Sequence, residues 1–330
     1  MNELQKQILN IIQANYPIEA KPFAAIANEL GSDEEEIIKQ VDLLKDGGLI
    51  RRIGAIFSAA HLGYVSTLVA AKVPINRVEE FVVEVNAISG VSHNYGRMHQ
   101  YNIWFTMTMP GKEYIQARLN QLRSKYGIDD IYSLPAEKMF KIKVDFDLQD
   151  NRPDKTIEDI SEKKKNSSAK IIPAELSSRQ RVLIRELQLD LPVKSEPFAD
   201  IAEKLQMTVA DIVEQVSQWK SQGVIRRFGA SVRHNKIGFT ANGMVVFAVE
   251  PDRIEESGRL LAQYKQVSHC YHRPTAPGWP YNLFAMTHCH SDQELEKLSQ
   301  EMIQLIKPLQ SDILRTSIEY KKTNVKYFVD

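Results

Sequence analysis

The sequence predicts an α+β chain in which a winged helix-turn-helix unit followed by a ferredoxin-like βαββαβ domain occurs twice. Three observations predict it. "KPFAAIANEL" at Lys21 returns as "EPFADIAEKL" at Glu196, and "LIRRIGA" at Leu49 returns as "VIRRFGA" at Val224, both 175 residues on; self-similarity at a fixed offset is what a duplicated unit leaves behind. Within each copy the apolar pattern changes from helical spacing to strand spacing just after the arginine pair. Between the copies, "NRPDKTIEDISEKKKNSSAKIIPAE" (151–175) is polar, charged and poor in aromatics, the composition of an exposed linker. The expected boundaries are 1–60 and 177–235 for the winged units, 61–150 and 236–330 for the ferredoxin-like domains, and 151–176 for the linker.

Each element follows from local pattern. Leu4, Ile8, Ile11 and Ile12 form one helical stripe, Phe23, Ile26, Ala27 and Leu30 a second, and Ile37, Val41 and Leu44 a third. Gly31 reads as the stop of the second helix, and Ser32 with Glu35 as a capping box for the third. Then come a strand over Tyr64–Val73, a helix over about Asn76–Asn86, a hairpin over "VSHNYGRMHQYNIWFT" (91–106), a helix over about Gly111–Tyr126 and a strand over Ile131–Phe146. The second copy matches: a strand over Met244–Val249, a helix after Pro251, a hairpin over "VSHCYHRPTAPGWPYNLFAMTH" (267–288), a helix over Asp292–Ile306 and a strand over Ile313–Phe328. The order βαββαβ is the ferredoxin-like arrangement.

Composition narrows the function classes. The 330 residues are 43% apolar, and 42 Lys and Arg balance 42 Asp and Glu, so no summed field draws the chain to nucleic acid or an acidic membrane. Cys270 and Cys289 form no CxxC pair, no apolar run reaches membrane-spanning length, and the N-terminus lacks a secretory signal, so a cytoplasmic protein is expected. No nicotinamide, flavin or pyridoxal signature occurs, and no CxxC or HExxH supports a metal held by the protein alone. No cofactor is therefore expected.

The hairpins carry the chemistry. Alternate strand residues share a face, so His93, Tyr95, Arg97 and, if the strand persists, His99 point one way. His269, Tyr271 and Arg273 repeat that row, with His272 on the opposite face. A solvated face has no need of this set, and a core would not hold its charge without partners. Two departures separate the halves: Arg273 is followed by an inserted "PTAPGW", and His99 has no counterpart. The doublets Arg51–Arg52 and Arg226–Arg227, each followed by Gly and Ala, read as an anion clamp, for carboxylates or for DNA phosphates. Against DNA stands the third helix, whose first turn "SDEEE" would meet a phosphate backbone with like charge.

A winged helix-turn-helix followed by βαββαβ resembles the Lrp/AsnC regulators. "RRIGAIFSAAHLGY", "VSHNYGRMHQYNIWFT", "RRFGASVRHNKIGF" and "VSHCYHRPTAPGWPYNLFAMTH" resemble more closely the siroheme decarboxylases, whose two Lrp-like subunits are fused in some organisms. The resemblance covers both halves, and it implies removal of carbon dioxide from the C12 and C18 acetates of siroheme to give 12,18-didecarboxysiroheme for heme or heme d1 synthesis. It further implies an internal pseudo-dimer through the βαββαβ sheets. No specific DNA binding is expected from Asp33 to Glu36 and the zero net charge, and no membrane partner from the lack of a long apolar run. Siroheme is a polycarboxylate, so Arg51, Arg52, Arg97, Arg226, Arg227 and Arg273, with Tyr95 and Tyr271, are the expected substrate-binding residues. His93, His99, His269 and His272 are the expected catalytic set, since imidazole, with a pKa near ~6.5, is the natural proton donor at neutral pH. One of them could also ligate the iron that the substrate carries. The competing reading is an Lrp/AsnC-type transcription regulator that senses heme through the same histidines.

Overall fold

The computed structural model describes residues 1–142, 172–232 and 241–329, which form two compact units that cut across the two sequence halves. One unit holds both helix-turn-helix segments (1–63, 172–232 and 326–329), the other both βαββαβ segments (64–142 and 241–325). The expected linker falls outside the described residues as far as position 171. Among the described residues no helix is long and apolar enough to cross a membrane.

In the first unit, helices α1 (Glu3–Ala14), α2 (Pro22–Leu30) and α3 (Glu34–Asp46) are followed by strand β1 (Ile50–Phe57). Gly31 closes α2 in the left-handed conformation, φ 62°, where a residue without Cβ fits without strain. The cap of α3 differs from expectation. Ser32 donates its N–H back to Ala27 O and so still belongs to the end of α2. The cap therefore falls one residue later, on Asp33, whose carboxylate accepts the Glu35 N–H at 3.0 Å. The second copy gives α6 (Ser178–Leu187), α7 (Ala199–Leu205), α8 (Val209–Ser221) and β7 (Ile225–Val232).

The arginine–glycine motifs meet at the middle of this unit. β1 pairs with β7 in antiparallel register, Gly54 opposite Gly229. A Cβ on Gly54 would sit 2.6 Å from Leu189 O beyond the end of α6, and one on Gly229 2.2 Å from Ile12 O in α1. Each half's strand thus crosses the other half's first helix backbone to backbone, a distance that only glycine allows. We predict that Gly54→Ala and Gly229→Ala each lower unfolding stability by about 1–3 kcal/mol, read from urea denaturation, with Gly229→Ala the worse because its φ is +149°.

Among the described residues the second unit is built on a nine-stranded sheet. Its first-half strands are β2 (Val65–Ala71), β3 (Val91–Arg97), β4 (Ile103–Met109), β5 (Ile131–Leu134) and β6 (Lys138–Ile142), with helices α4 (Val78–Ala87) and α5 (Lys112–Tyr126). The second half supplies β8 (Ala241–Ala248), β9 (Val267–His272), β10 (Leu283–Cys289) and β11 (Gln310–Lys322), with α9 (Ile254–Ala262) and α10 (Asp292–Ile306). The order is β5-β2-β4-β3-β11-β8-β10-β9-β6. Strand β11 serves both halves: Gln310–Arg315 pair with β8, and Thr316–Lys322 with β3. The single strand expected over Ile131–Phe146 is instead two, β5 on its own half's β2 and β6 on β9 of the other half. Pro135 stands between them and cannot continue a ladder; positions 143–146 lie outside the described residues.

Three cores result. Phe81, Phe105, Leu119 and Leu122 pack between the first-half sheet and α4 and α5, and Phe247, Leu261, Leu295 and Met302 form the equivalent core of the second half. A third core joins the halves, with Ala70, Tyr101, Trp104 and Leu134 against Met244, Val246, Trp279, Phe284 and Leu314.

Candidate functional site

Both H-x-Y-x-R rows lie where their strands carry a bulge. The β3–β4 register slips between Val91 and His93, and the β9–β10 register slips between Val267 and His269. A bulge rotates consecutive side chains toward a shared side, and in both halves the serine of V-S-H meets the histidine beside it. Ser92 Oγ lies 2.9 Å from His93 Nδ1, and Ser268 Oγ 2.9 Å from His269 Nδ1. Along each strand the histidine and tyrosine rings follow at 6.2 Å. The arginine guanidinium then lies 5.3 Å from the Tyr95 ring in the first half and 4.8 Å from the Tyr271 ring in the second. All four ring residues are half-buried. β11, β8 and β10 stand between β3 and β9 in the sheet, so the strand order gives two separate rows, one per half.

The row arginines are turned to the protein itself. Arg97 is 7% exposed and donates from Nη1 to Leu314 O at 3.0 Å and Thr316 Oγ1 at 2.5 Å. Arg273 donates to Leu134 O at 2.6 Å. Each thus holds the carbonyl of a leucine in the other half. Burial pushes both guanidiniums down to about 10, with the neighbouring tyrosine opposing. Among the described residues neither Nε has a hydrogen-bond partner.

The other two histidines stand apart from the rows. β3 ends at Arg97, so His99 lies in the following turn, its Nδ1 accepting the Tyr101 N–H at 3.0 Å and its Nε2 3.5 Å from Asp312 Oδ2. Trp279, from the inserted "PTAPGW", packs edge-on against the His99 ring at 5.7 Å and against Tyr101 at 5.3 Å. The insertion therefore fills the core between the halves, where Trp279 is 1% exposed. Burial pushes the His99 pKa below its ordinary value, and Asp312 opposes this. His272 sits on the opposite face of β9 from His269, its Nδ1 3.3 Å from Glu137 Oε2.

In the first unit, Arg52 is half-buried and donates to the Gln188 and Ala55 carbonyls, the latter at 3.1 Å. Burial lowers its pKa, with Asp190 opposing and Arg227 adding to the fall. Arg227 is also half-buried, whereas Arg51 and Arg226 expose their side chains. The doublet therefore splits into an inner arginine and an outer one.

Sequence reasoning missed Ser92, Ser268, Thr106, Asn242 and His288. Ser92 Oγ lies 2.8 Å from Thr106 Oγ1, while Ser268 Oγ lies 2.8 Å from His288 Nε2, whose Nδ1 lies 2.6 Å from Asn242 Oδ1. The repeated V-S-H was a usable signal; the pairing of β8 with β10 that brings Asn242 opposite His288 was not visible.

A duplicated winged helix-turn-helix joined to a shared βαββαβ sheet defines an AsnC-like two-domain protein. Family models agree: an AsnC-like ligand binding domain matches residues 61–141 and 236–321, and the siroheme decarboxylase NirDL-like HTH domain matches 5–51 and 180–226. The chain is 35% identical over 329 residues to a siroheme decarboxylase of Hydrogenobacter thermophilus, covering 99% of this chain and 95% of that one. It therefore belongs to the siroheme decarboxylase family. The alpha subunit of the Desulfovibrio desulfuricans siroheme decarboxylase is 47% identical over 46% of this chain and 87% of its own, and the beta subunit 38% identical over 47% and 98%. A crystal structure of the siroheme decarboxylase NirDL in co-complex with an iron-uroporphyrin III analogue superposes with a TM-score of 0.78 at 30% identity, covering 99% of this chain and 95% of that one.

Two predictions follow from the geometry. Arg97→Met and Arg273→Met should each cost about 1–3 kcal/mol of unfolding stability, because each leaves a buried carbonyl without its donor; urea titration measures it. For His99, the unfolded chain takes up a proton near ~6.5 while the folded chain resists it to lower pH. Stability should therefore fall as pH drops below that value, and melts at about pH 7.5 and about pH 5 should show a smaller drop for His99→Gln than for wild type.

Proposed function

We propose that this chain removes carbon dioxide from the C12 and C18 acetate side chains of siroheme, giving 12,18-didecarboxysiroheme for heme or heme d1 synthesis. The observation that carries the reading is the bulged Ser–His–x–Tyr row, built the same way in both halves of a chain that belongs to this family along nearly its whole length. Loss of carbon dioxide from an acetate on a pyrrole-type ring leaves an electron pair at the methylene or the conjugated ring carbon, and a proton must arrive to give the methyl group. His93 and His269 are the proton-handling residues in this reading, with Tyr95 and Tyr271 as their neighbours in the binding surface. The iron belongs to the substrate, and no further cofactor is invoked.

Arg51 and Arg226, whose side chains are exposed, stay in this reading as candidates for the substrate's carboxylates, while Arg52, Arg97 and Arg273 also hold backbone carbonyls. His99 and His272 fit supporting roles, each paired with a carboxylate. The shared strand β11 supports an internal pseudo-dimer, in line with relatives whose alpha and beta subunits each match about half the chain. Specific DNA binding is not part of this reading, since Glu34, Glu35 and Glu36 occupy the first turn of α3. A reducing cytoplasm suits the two buried free cysteines.

Anaerobic incubation of the pure protein with siroheme, followed by mass spectrometry, should give loss of two carbon dioxide units. His93→Ala and His269→Ala should each lower the rate of carbon dioxide release by about 10²–10⁴, with melting temperatures little changed. Unaltered siroheme with the wild-type chain would remove the decarboxylase reading, and near-normal rates in both variants would remove the two histidines from it.

A further inference from the structure

The two rows differ in what stands behind the histidine. In the second half, Asn242 Oδ1, His288 Nδ1, His288 Nε2, Ser268 Oγ and His269 Nδ1 form a continuous chain with contacts of 2.6, 2.8 and 2.9 Å. The position matching His288 in the first half is Thr108, because Asn102 and Asn282 occupy the same place, each donating to the carbonyl of a valine, Val73 or Val249. Thr108 Oγ1 is paired with Ser66 Oγ at 2.8 Å, so a hydroxyl pair stands where the second half has the imidazole–amide pair.

From this geometry we infer that Asn242, His288 and Ser268 are positioning residues that hold His269 as the Nδ1–H tautomer, with Nε2 as its lone-pair nitrogen. An amide oxygen only accepts, so the 2.6 Å contact puts the proton of neutral His288 on Nδ1. His288 Nε2 then accepts, and its partner at 2.8 Å must donate, so the Ser268 hydroxyl points its proton there. The competing acceptor for that proton, Met286 O, is farther, at 3.3 Å. With its proton committed, Ser268 Oγ accepts from His269, which places a proton on His269 Nδ1. The direction of the whole chain is thus set by one amide, and turning that amide over would reverse every step.

The first half has hydroxyls in place of that imidazole–amide pair. Ser92 Oγ faces His93 Nδ1 at 2.9 Å and Thr106 Oγ1 at 2.8 Å, and Thr106 Oγ1 also accepts the His93 backbone N–H at 3.1 Å. Either hydroxyl can donate to the other, so the Ser92–Thr106 pair does not by itself direct the Ser92–His93 contact. On the proposed function, which alone brings these histidines to substrate, the halves divide the work. The lone pair of His269 Nε2 suits it to hold the substrate iron or accept a proton, and His93, beside the Ser92 and Thr106 hydroxyls, is the one that delivers a proton.

Nuclear magnetic resonance of the full chain labelled with ¹⁵N-histidine tests this without any substrate. His269→Gln assigns the His269 signals among the 8 histidines, and the remaining histidine signals report whether each variant is folded. Wild type should show His269 Nδ1 as the protonated nitrogen and Nε2 as the unprotonated one. Asn242→Ala and His288→Ala should shift His269 toward a tautomer mixture while the His93 signals stay put. A wild-type His269 protonated on Nε2, or a tautomer unmoved in both variants, would overturn the proposal. Steady-state assays with siroheme add a second reading: His288→Ala should lower kcat about 10-fold or more with KM little changed, and unchanged kcat would remove the link to turnover. Absence of activity in the wild type would count against the decarboxylase reading, while the tautomer result would still decide the inference.

Discussion

Each half of the βαββαβ unit takes the hydrogen bonds for one edge strand from the other half, and the placement of both rows depends on that exchange. Strand β3 lies between β4 and β11, and β9 lies between β10 and β6. Backbone donors and acceptors at a sheet edge must find partners; here the outer partner of β3 and that of β9 each come from the other half. The two H-x-Y-x-R strands are the ones enclosed in this way. Side chains on strands paired along both edges are held more firmly than side chains on a free edge or a loop, which on the proposed function suits residues that would meet a large, rigid substrate.

The same exchange explains the arginines. A cation inside a core needs partners, and Arg97 and Arg273 find theirs in Leu314 O and Leu134 O, one residue group in each half tied to the last strand pairing of the other. Arg52 has a similar task at the carbonyl beyond α6. Guanidinium suits such places because its donors form a fixed fork that reaches several carbonyls at once. Residue type alone therefore did not reveal which arginines hold backbone together.

Duplication left the halves alike in frame and different in detail. The bulge, the serine beside the histidine and the tyrosine two residues on are common to both. Against that frame, Thr108 and Ser66 stand where His288 and Asn242 stand, and the insertion carrying Trp279 has no match after Arg97. Trp279 lies among Tyr101, Trp104 and His99 of the first half. A segment gained by one half thus became part of the surroundings of the other.

Local pattern determined much of this protein. The helical stripes, the glycine stop at Gly31, the βαββαβ order and the repeat were legible because each rests on residues a few positions apart, and the H-x-Y-x-R row was legible because strand alternation is a property of one strand. What the sequence left undecided was what lies across a strand or between halves. The break of the last first-half strand at Pro135, the turning of Arg97 and Arg273 to the other half's carbonyls, the removal of His99 to a turn packed by Trp279, and the joining of His288 to His269 all depend on which chain segments become neighbours. The doublet's glycine shows the division in a single motif: its repetition marks it in the sequence, but only the approach of Ile12 O to within 2.2 Å of a Cβ on Gly229 gives the reason. Contacts between distant segments are chosen by burial and hydrogen-bond satisfaction over the whole fold, and no local pattern records that choice.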